Sequence, residues 1–251
     1  MAAASAQQHR HPKRRRLALS LSLSSSPTPK PVAPPLDTLA DELLFLVLDR
    51  VAQADPRALK SFALASRACH AAESRHRRVV RPLRPDLLPA ALARYPCATR
   101  LDLSLCARVP DAALASAASS SCSALRAVDL SRSRGFGAAG VAALAASCPG
   151  LADLDLSNGV DLGDAAAAEV GRARGLRRLS LARWKPLTDM GLGCVAVVCT
   201  ELRELSLKWS LGVSDLGIQL LALKCRKLTS LDLSYTMVSA QVFLVLCLFL
   251  G

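Results

Sequence analysis

The chain has 251 residues, a formal net charge of +12, half its residues apolar and 4% aromatic. That length holds one or two domains, and a composition led by Ala and Leu suits a thin-cored stacked array better than a globular enzyme core. Residues 1–35 carry Arg10, Lys13, Arg14, Arg15, Arg16 and Lys30 with no acid. The basic balance therefore belongs largely to a tail, and nucleic-acid binding by the folded part is disfavoured.

Nine cysteines, an odd number without a clear export signal, point to a reducing compartment. The histidines are His9, His11, His70 and His76. They form no tightly spaced cluster with the cysteines, so neither a metal nor a cofactor is expected. Residues 1–35, rich in Ser, Pro and basic side chains, read as a disordered tail. Pro12-Lys13-Arg14-Arg15-Arg16 fits a nuclear localisation patch and equally a solvated basic tail. The acid-free N-terminus also matches a plastid transit peptide, while Leu17–Leu23 is too short and polar for a secretory core.

Residues 36–73 change character. Leu39, Leu43, Val47 and Val51 recur every four residues and make one helical stripe, widened by Leu44 and Leu48. Asp37 or Thr38 is a candidate cap, and Asp41-Glu42 lies in the first turn, where acids are favoured. Asp55-Pro56 opens a second helix, with Leu59, Phe62, Ala63 and Ser66 on one side and Leu64 on another. So few helices make a poor free-standing core and must lean on a neighbour or partner. Residues 74–94 read as a basic linker carrying Arg75, Arg77, Arg78, Arg81 and Arg84, broken by Pro82 and Pro85.

From residue 95 to 237 the chain repeats. Leu-x-x-Leu-x-Leu occurs at Leu151/Leu154/Leu156, Leu176/Leu179/Leu181, Leu202/Leu205/Leu207 and Leu228/Leu231/Leu233, with Leu125/Val128/Leu130 and Leu101/Leu103 before them; the period is 25–27 residues. Leucines two apart share one face of a strand. An apolar helical stripe follows in most units, as in Ile218/Leu221/Ala222/Cys225. Cys122, Cys148, Cys199 and Cys225 hold matching positions and read as small buried residues closing each stripe. A strand plus a helix at this period is the leucine-rich-repeat pattern, in about five and a half units. The fold class is α/β, with parallel strands on the concave face and helices on the convex face.

Register assigns the concave face. Asp102, Asp129, Asp155 and Asp232 share one column, making repeats one to three acidic, while later repeats bring Arg178, Arg183, Lys208 and Trp209. The candidate target-binding residues are Arg100, Asp102, Asp129, Asp153, Asp155, Arg178, Glu204, Lys208 and Trp209. The alternative is that small polar residues merely keep an exposed sheet soluble. The paired acids follow a strand repeat rather than converge on a cleft, so no catalytic residues are assigned. Trp184 stands where Cys106 stands in the first repeat and reads as an awkward substitution. The nine apolar residues Val242–Leu250 are too few to span a bilayer. Residues 238–251 read as a divergent apolar tail, with a break near Val238–Ala240 that suggests a truncated or alternatively spliced product.

The segment Leu39-Ala40-Asp41-Glu42-Leu43-Leu44, with Val47-Leu48, Val51, Asp55, Leu59, Phe62, Leu64, Ser66 and Arg67, resembles an F-box. Followed by cysteine-containing leucine-rich repeats, it resembles the plant F-box/LRR-repeat family. Glu73-Ser-Arg-His-Arg-Arg78, Arg94-Tyr95-Pro96, Leu101-Asp-Leu-Ser-Leu-Cys106, Leu130-Ser-Arg-Ser-Arg134 and Leu207-Lys208-Trp209 carry the likeness further. Ala40 stands where the family has Pro, Ala65 where it has Val or Thr, and Cys69 where it has an aromatic. The resemblance implies a short all-helical F-box ahead of the solenoid. Leu39, Leu43, Val47 and Leu48 would form the face for a Skp-type adaptor, and through it a cullin. The repeats would bind an unknown target protein for ubiquitin-dependent degradation, in the nucleus, the cytoplasm or both. Expected alternatives are a non-catalytic repeat scaffold or truncated competitive binder, and a basic nucleic-acid-associated protein. No membrane partner is expected.

Overall fold

The computed structural model describes residues 39–55, 57–118 and 123–250, and Leu39–Gly251 makes one compact unit. The tail of residues 1–35, the expected caps Asp37 and Thr38, Pro56 and Cys122 lie outside the described residues.

Three helices come first: α1 (Asp41–Ala54), α2 (Ala58–Ala65) and α3 (Arg67–His76). Asp55 accepts the Arg57 amide at 2.8 Å, and the Ser66 hydroxyl caps α3 by accepting the Cys69 amide at 3.1 Å. Short oxygen side chains thus close both breaks between helices. The core here is small: Leu44, Leu48 and Ala72, with Phe45, Leu59 and Phe62 against them. Ionic ties supplement it. Asp41 of α1 pairs with Arg75 of α3 at 2.8 Å, and Asp49 with His76 at 2.8 Å.

Residues 74–94 are not a linker. They finish α3 and then build an opening repeat of strand β1 (Val79–Val80), a 3-10 turn (Pro85–Leu87) and helix α4 (Leu88–Arg94), which buries Leu88 and Leu92. The prolines do not prevent this. Pro85 opens the 3-10 turn and Pro89 lies in the first turn of α4, where a missing N–H leaves no bond unmade. The arginines of this stretch are also engaged. Arg77 pairs with Glu73, Arg78 donates to the Cys97 carbonyl at 3.1 Å, Arg81 pairs with Asp102 at 2.7 Å and Arg84 with Asp86 at 2.8 Å.

Strand β1 continues into β2 (Arg100–Asp102), β3 (Ala127–Asp129), β4 (Asp153–Asp155), β5 (Arg178–Ser180), β6 (Glu204–Ser206) and β7 (Ser230–Asp232). All pair in parallel in chain order, seven strands in one sheet among the described residues. Leu101, Val128, Leu154, Leu179, Leu205 and Leu231 align as one column. Leu103, Leu130, Leu156, Leu181 and Leu207 follow as a fully buried second column. Helices α5 (Asp111–Ala118), α6 (Ala138–Ser147), α7 (Asp164–Val170), α8 (Asp189–Val198), α9 (Asp215–Lys224) and α10 (Gln241–Leu250) cover the other side. The described residues form a leucine-rich-repeat solenoid.

Two ladders of side-chain bonds join the units. In the first, the aspartate that begins one helix accepts amides at the start of the next. Asp111 takes the Gly137 and Gly140 amides at 2.7 and 3.0 Å. Asp164 takes the Thr188 amide and hydroxyl, Asp189 those of Ser214 plus the Gly217 amide, and Asp215 those of Ser239. A helix start leaves amides without intrahelical partners, and an anion there also meets the positive end of the helix dipole. Gly140, Gly191 and Gly217 make room, since a Cβ at any of them would collide with the aspartate carboxylate. The second repeat lacks the acid, having Ala138, and the facing position in the third is then Ala166 rather than glycine.

In the second ladder, the residue three past the second leucine reaches back to a carbonyl of the preceding unit. Cys106 Sγ faces the Pro82 carbonyl at 3.1 Å, Ser133 donates to Leu103 at 2.8 Å and Ser210 to Leu181 at 3.0 Å. Trp184, expected as an awkward substitution, is a full member. It is completely buried and its Nε1 donates to the Leu156 carbonyl at 2.7 Å. The indole fits because the preceding unit has Gly159 at the same position, where a Cβ would collide with the ring.

The segment expected to diverge near Val238–Ala240 instead keeps the repeat register. Ser239 receives the Asp215 cap as Ser214 receives that of Asp189, and α10 buries Val242 and packs Leu246 against the array core.

Two stability tests follow from the ladders. In a urea-unfolding cycle, Ala166→Gly alone costs about 1 kcal/mol of helix propensity, and Ala138→Asp alone gives no gain for want of space. The double variant recovers a favourable coupling of about 1–2 kcal/mol; a coupling indistinguishable from zero would remove the ladder's role. Gly159→Ala is expected to cost about 1–3 kcal/mol by overpacking against Trp184. The same change on a Trp184→Ser background costs measurably less.

Candidate functional site

Two exposed surfaces stand out, one on the helical module and one on the strand face. On α1, Leu43, Leu46 and Val47 are 56–62% exposed at spacings that place them on one helical face, and Leu39, just before the helix, is 44% exposed. Leu48, expected in the same face, belongs to the module's interior at 1% exposure, packed with Leu44 and Ala72. The four-residue spacing could not separate the two stripes, because Leu43-Leu44 and Val47-Leu48 are adjacent pairs that straddle the boundary. Leu46 was missed for the same reason: it lies three past Leu43, off the four-residue count.

The module is fixed to the array by a buried carboxylate. Glu73 of α3 is 1% exposed and accepts from Arg77 Nε at 2.6 Å and from Arg94 at 3.3 Å. Both guanidinium groups lie over the Tyr95 ring, at 5.1 and 5.0 Å from its centroid. Glu73-Ser-Arg-His-Arg-Arg78 and Arg94-Tyr95-Pro96, far apart in the chain, thus form one junction.

On the strand face the nine candidates fall into groups with different work. Asp102 is not available to a partner. It is buried, takes the Ser104 amide at 3.1 Å and hydroxyl at 2.6 Å, and pairs with Arg81. Burial works to raise its pKa, but these bonds outweigh burial and hold it below the usual carboxylate range. Asp129, Asp155 and Asp232 likewise accept the amide two residues on, from Ser131, Ser157 and Ser234 at 2.9–3.0 Å. The aspartate column therefore first serves to close each strand-to-turn corner. Arg100 sits 3.7 Å from Asp129 and 3.6 Å from Asp153, and Arg178 pairs with Glu204 at 2.8 Å. Desolvation raises the Asp153 pKa, opposed by Arg100 and Arg178 and reinforced by Asp155 and Asp129. Asp153, Asp155, Arg178, Glu204, Ser206 and Asp232 line a shallow depression over β4–β7.

Lys208 and Trp209 lie on the turn that follows β6, two and three residues past Ser206 of that depression. Trp209 is 41% exposed and stacks on Tyr235, 62% exposed, with centroids 4.3 Å apart and planes 9° from parallel. The Lys208 ammonium lies 5.8 Å from the Tyr235 ring. Tyr235 was missed, although it follows Trp209 by one repeat period. Both residues have left-handed backbones, φ 62° and 61°, at a corner where Asn158 and Arg183 do the same at 64°. No group of three or more His, Cys, Asp or Glu among the described residues could hold a metal ion. No helix among them is long and apolar enough to cross a membrane. Cys199 and Cys225 are buried under neighbouring carbonyls, and burial pushes their thiols up to about 12 and about 11.

No family model matches the chain. Among solved structures it is similar to a chain of the yeast Rad7–Elc1 complex, at 14% identity and TM-score 0.43, over 71% of this chain and 63% of that one. It is also similar to an internalin, InlF, of Listeria monocytogenes, at 12% identity and TM-score 0.34, over 62% of this chain and 54% of that one. The chain therefore spans less than two thirds of the length of either.

Substitution separates the acids that close the turns from those that do not. Asp102→Ala should lower unfolding stability by about 1–3 kcal/mol, since it leaves the Ser104 turn and Arg81 without their acceptor. Asp153→Ala should stay within about 0.5 kcal/mol. Equal losses in urea titrations of the two variants would contradict this division.

Proposed function

We propose that this protein is the non-catalytic substrate-recognition subunit of a Skp–cullin–F-box ubiquitin ligase, working in the nucleus, the cytoplasm or both. The observation that carries the reading is the exposed apolar face of α1. A helix of a free-standing protein turns its leucines inward, yet Leu39, Leu43, Leu46 and Val47 point out beside a core that already holds Leu44 and Leu48. An apolar face left open in this way suits an obligate partner. The F-box resemblance of the sequence names that partner as a small Skp-type adaptor, tied in turn to a cullin. The repeats then hold a target protein. Chemistry stays with the recruited enzymes, and this chain acts by raising the target's effective concentration beside them. The arginine run of residues 75–84 is spent on Asp41, Glu73, Cys97, Asp102 and Asp86, which supports this reading over a nucleic-acid-associated one.

The test is co-expression of the full chain with a plant Skp-type adaptor, followed by size-exclusion chromatography. Wild type is expected to co-elute. Leu43→Asp combined with Leu46→Asp should lose co-elution with unchanged circular dichroism, while Leu48→Asp should disrupt the module's own fold. A folded wild-type chain that leaves the adaptor free would sink the receptor reading and leave a repeat scaffold. Ubiquitination of a bound target separates a receptor from a competitive binder.

A further inference from the structure

We infer that the strand face over β4–β7, with the Trp209–Tyr235 stack on the turns after β6 and β7, docks an extended basic segment of a partner protein that lays a planar side chain on the stack. This deepens the target-recognition reading above and rests on it.

Charge complementarity chooses the occupant. The chain is +12 overall, yet Asp153, Asp155, Glu204 and Asp232 line this depression with Arg178, while Arg100 reaches Asp153 at 3.6 Å and Lys208 acts on Asp232, four acids against three bases. Among the described residues, Asp155 and Asp232 make no ion pair within 4 Å; their bonds are to serine amides and hydroxyls, which fix the carboxylates without neutralising them. Burial raises the Asp153 pKa in spite of Arg100 and Arg178, with Asp155 and Asp129 adding to the rise, so an arriving cation favours its charged form. The matching column aspartates of the first two repeats are ion-paired, Asp102 with Arg81 and Asp129 with Arg100, which Asp153 shares. The basic segment is thus directed to the later repeats. A nucleic-acid backbone is repelled by the same acids.

The aromatic stack is the second, separate observation. A left-handed backbone is unfavourable for residues with a branched or bulky side chain and is well tolerated by asparagine. Asn158 takes the tolerated solution at this corner, but two repeats in succession have Trp209 and Tyr235 there. Their rings are not used to fill the core. They lie on the outside, stacked on each other as a flat platform on the same turns that carry Lys208 and Ser234. Each platform residue follows its strand by three positions, so a bound segment reaches the acids of β6 and β7 and the rings together. Arginine or an aromatic side chain stacks on such a surface.

The experiment pans a random twelve-residue phage-displayed peptide library against the full chain, with and without the adaptor. Recovered peptides are expected to carry at least two Lys or Arg and one Arg, Trp, Tyr or Phe. A synthetic copy should bind in the micromolar range by fluorescence anisotropy. Binding should weaken about tenfold in Trp209→Asn/Tyr235→Asn, which suits the backbone of that corner, and severalfold in Asp153→Asn or at raised salt. No enrichment over the uncoated surface would overturn the inference. So would acidic or uncharged winners, or an affinity that the double asparagine variant leaves unchanged. Adaptor binding, read on the same samples through α1, keeps the two readings apart. Basic peptides selected by a chain that ignores the adaptor overturn the receptor reading alone. Adaptor binding without peptide selection overturns this inference alone.

Discussion

The array depends on polar groups that a single repeat cannot satisfy by itself. Every unit starts a helix whose first amides have no intrahelical acceptor and ends a strand whose next carbonyl turns into the core. In most units the neighbour supplies the partners: an aspartate carboxylate for the amides, and a serine, cysteine or indole donor for the carbonyl; Ala138 and Gly159 are the gaps. Leucine columns alone provide non-directional burial. The two ladders add direction, so that one repeat sets the angle and register of the next. The glycines opposite the aspartates, and Gly159 opposite Trp184, are consequences of that contact rather than independent features.

This explains which parts of the fold are legible in the sequence. The period-two leucines announced the strands, and the helix stripes followed from Ile218/Leu221/Ala222/Cys225, because burial writes itself as a pattern along one segment. The ladders are pairwise between residues 24–30 apart in the chain, so no local pattern reports them. Asp215 could be read as part of its own helix start, yet its carboxylate belongs to the next one. Trp184 looked misplaced because its partner, Gly159, is in another unit. Residues 74–94 looked like a linker because arginines and prolines hide an opening repeat whose apolar content is little more than Val80, Leu88 and Leu92.

The candidate surfaces divide along the same line. Register placed Arg100, Asp102, Asp129, Asp153, Asp155, Arg178 and Glu204 on one face, but it cannot tell a carboxylate that closes a turn from one that awaits a ligand. Asp102 and Asp153 occupy neighbouring columns of that face and have opposite pKa shifts. Bonds from Ser104 and Arg81 overcome burial in the first, whereas burial and adjoining carboxylates prevail in the second. Acids held down in this way, Asp215 and Asp232 included, stabilise the fold above the ordinary carboxylate range. That contribution disappears as pH falls through their lowered values. A raised carboxylate such as Asp153 works in the other direction.

The junction at Glu73 bears on how binding at one end can matter at the other. A proximity device gains most when the two surfaces it joins are held at a fixed separation, and a flexible linker between them lowers the effective concentration. Here the helical module and the array share a buried carboxylate with two guanidiniums, closed by Tyr95. Glu73 is 1% exposed while Arg77 and Arg94 keep 30% and 41%, so losing an arginine leaves a buried carboxylate short of a donor, whereas losing Glu73 frees two partly solvated cations. The module therefore does not swing freely on the repeats. The direction in which α1 presents Leu43, Leu46 and Val47 is set by the array.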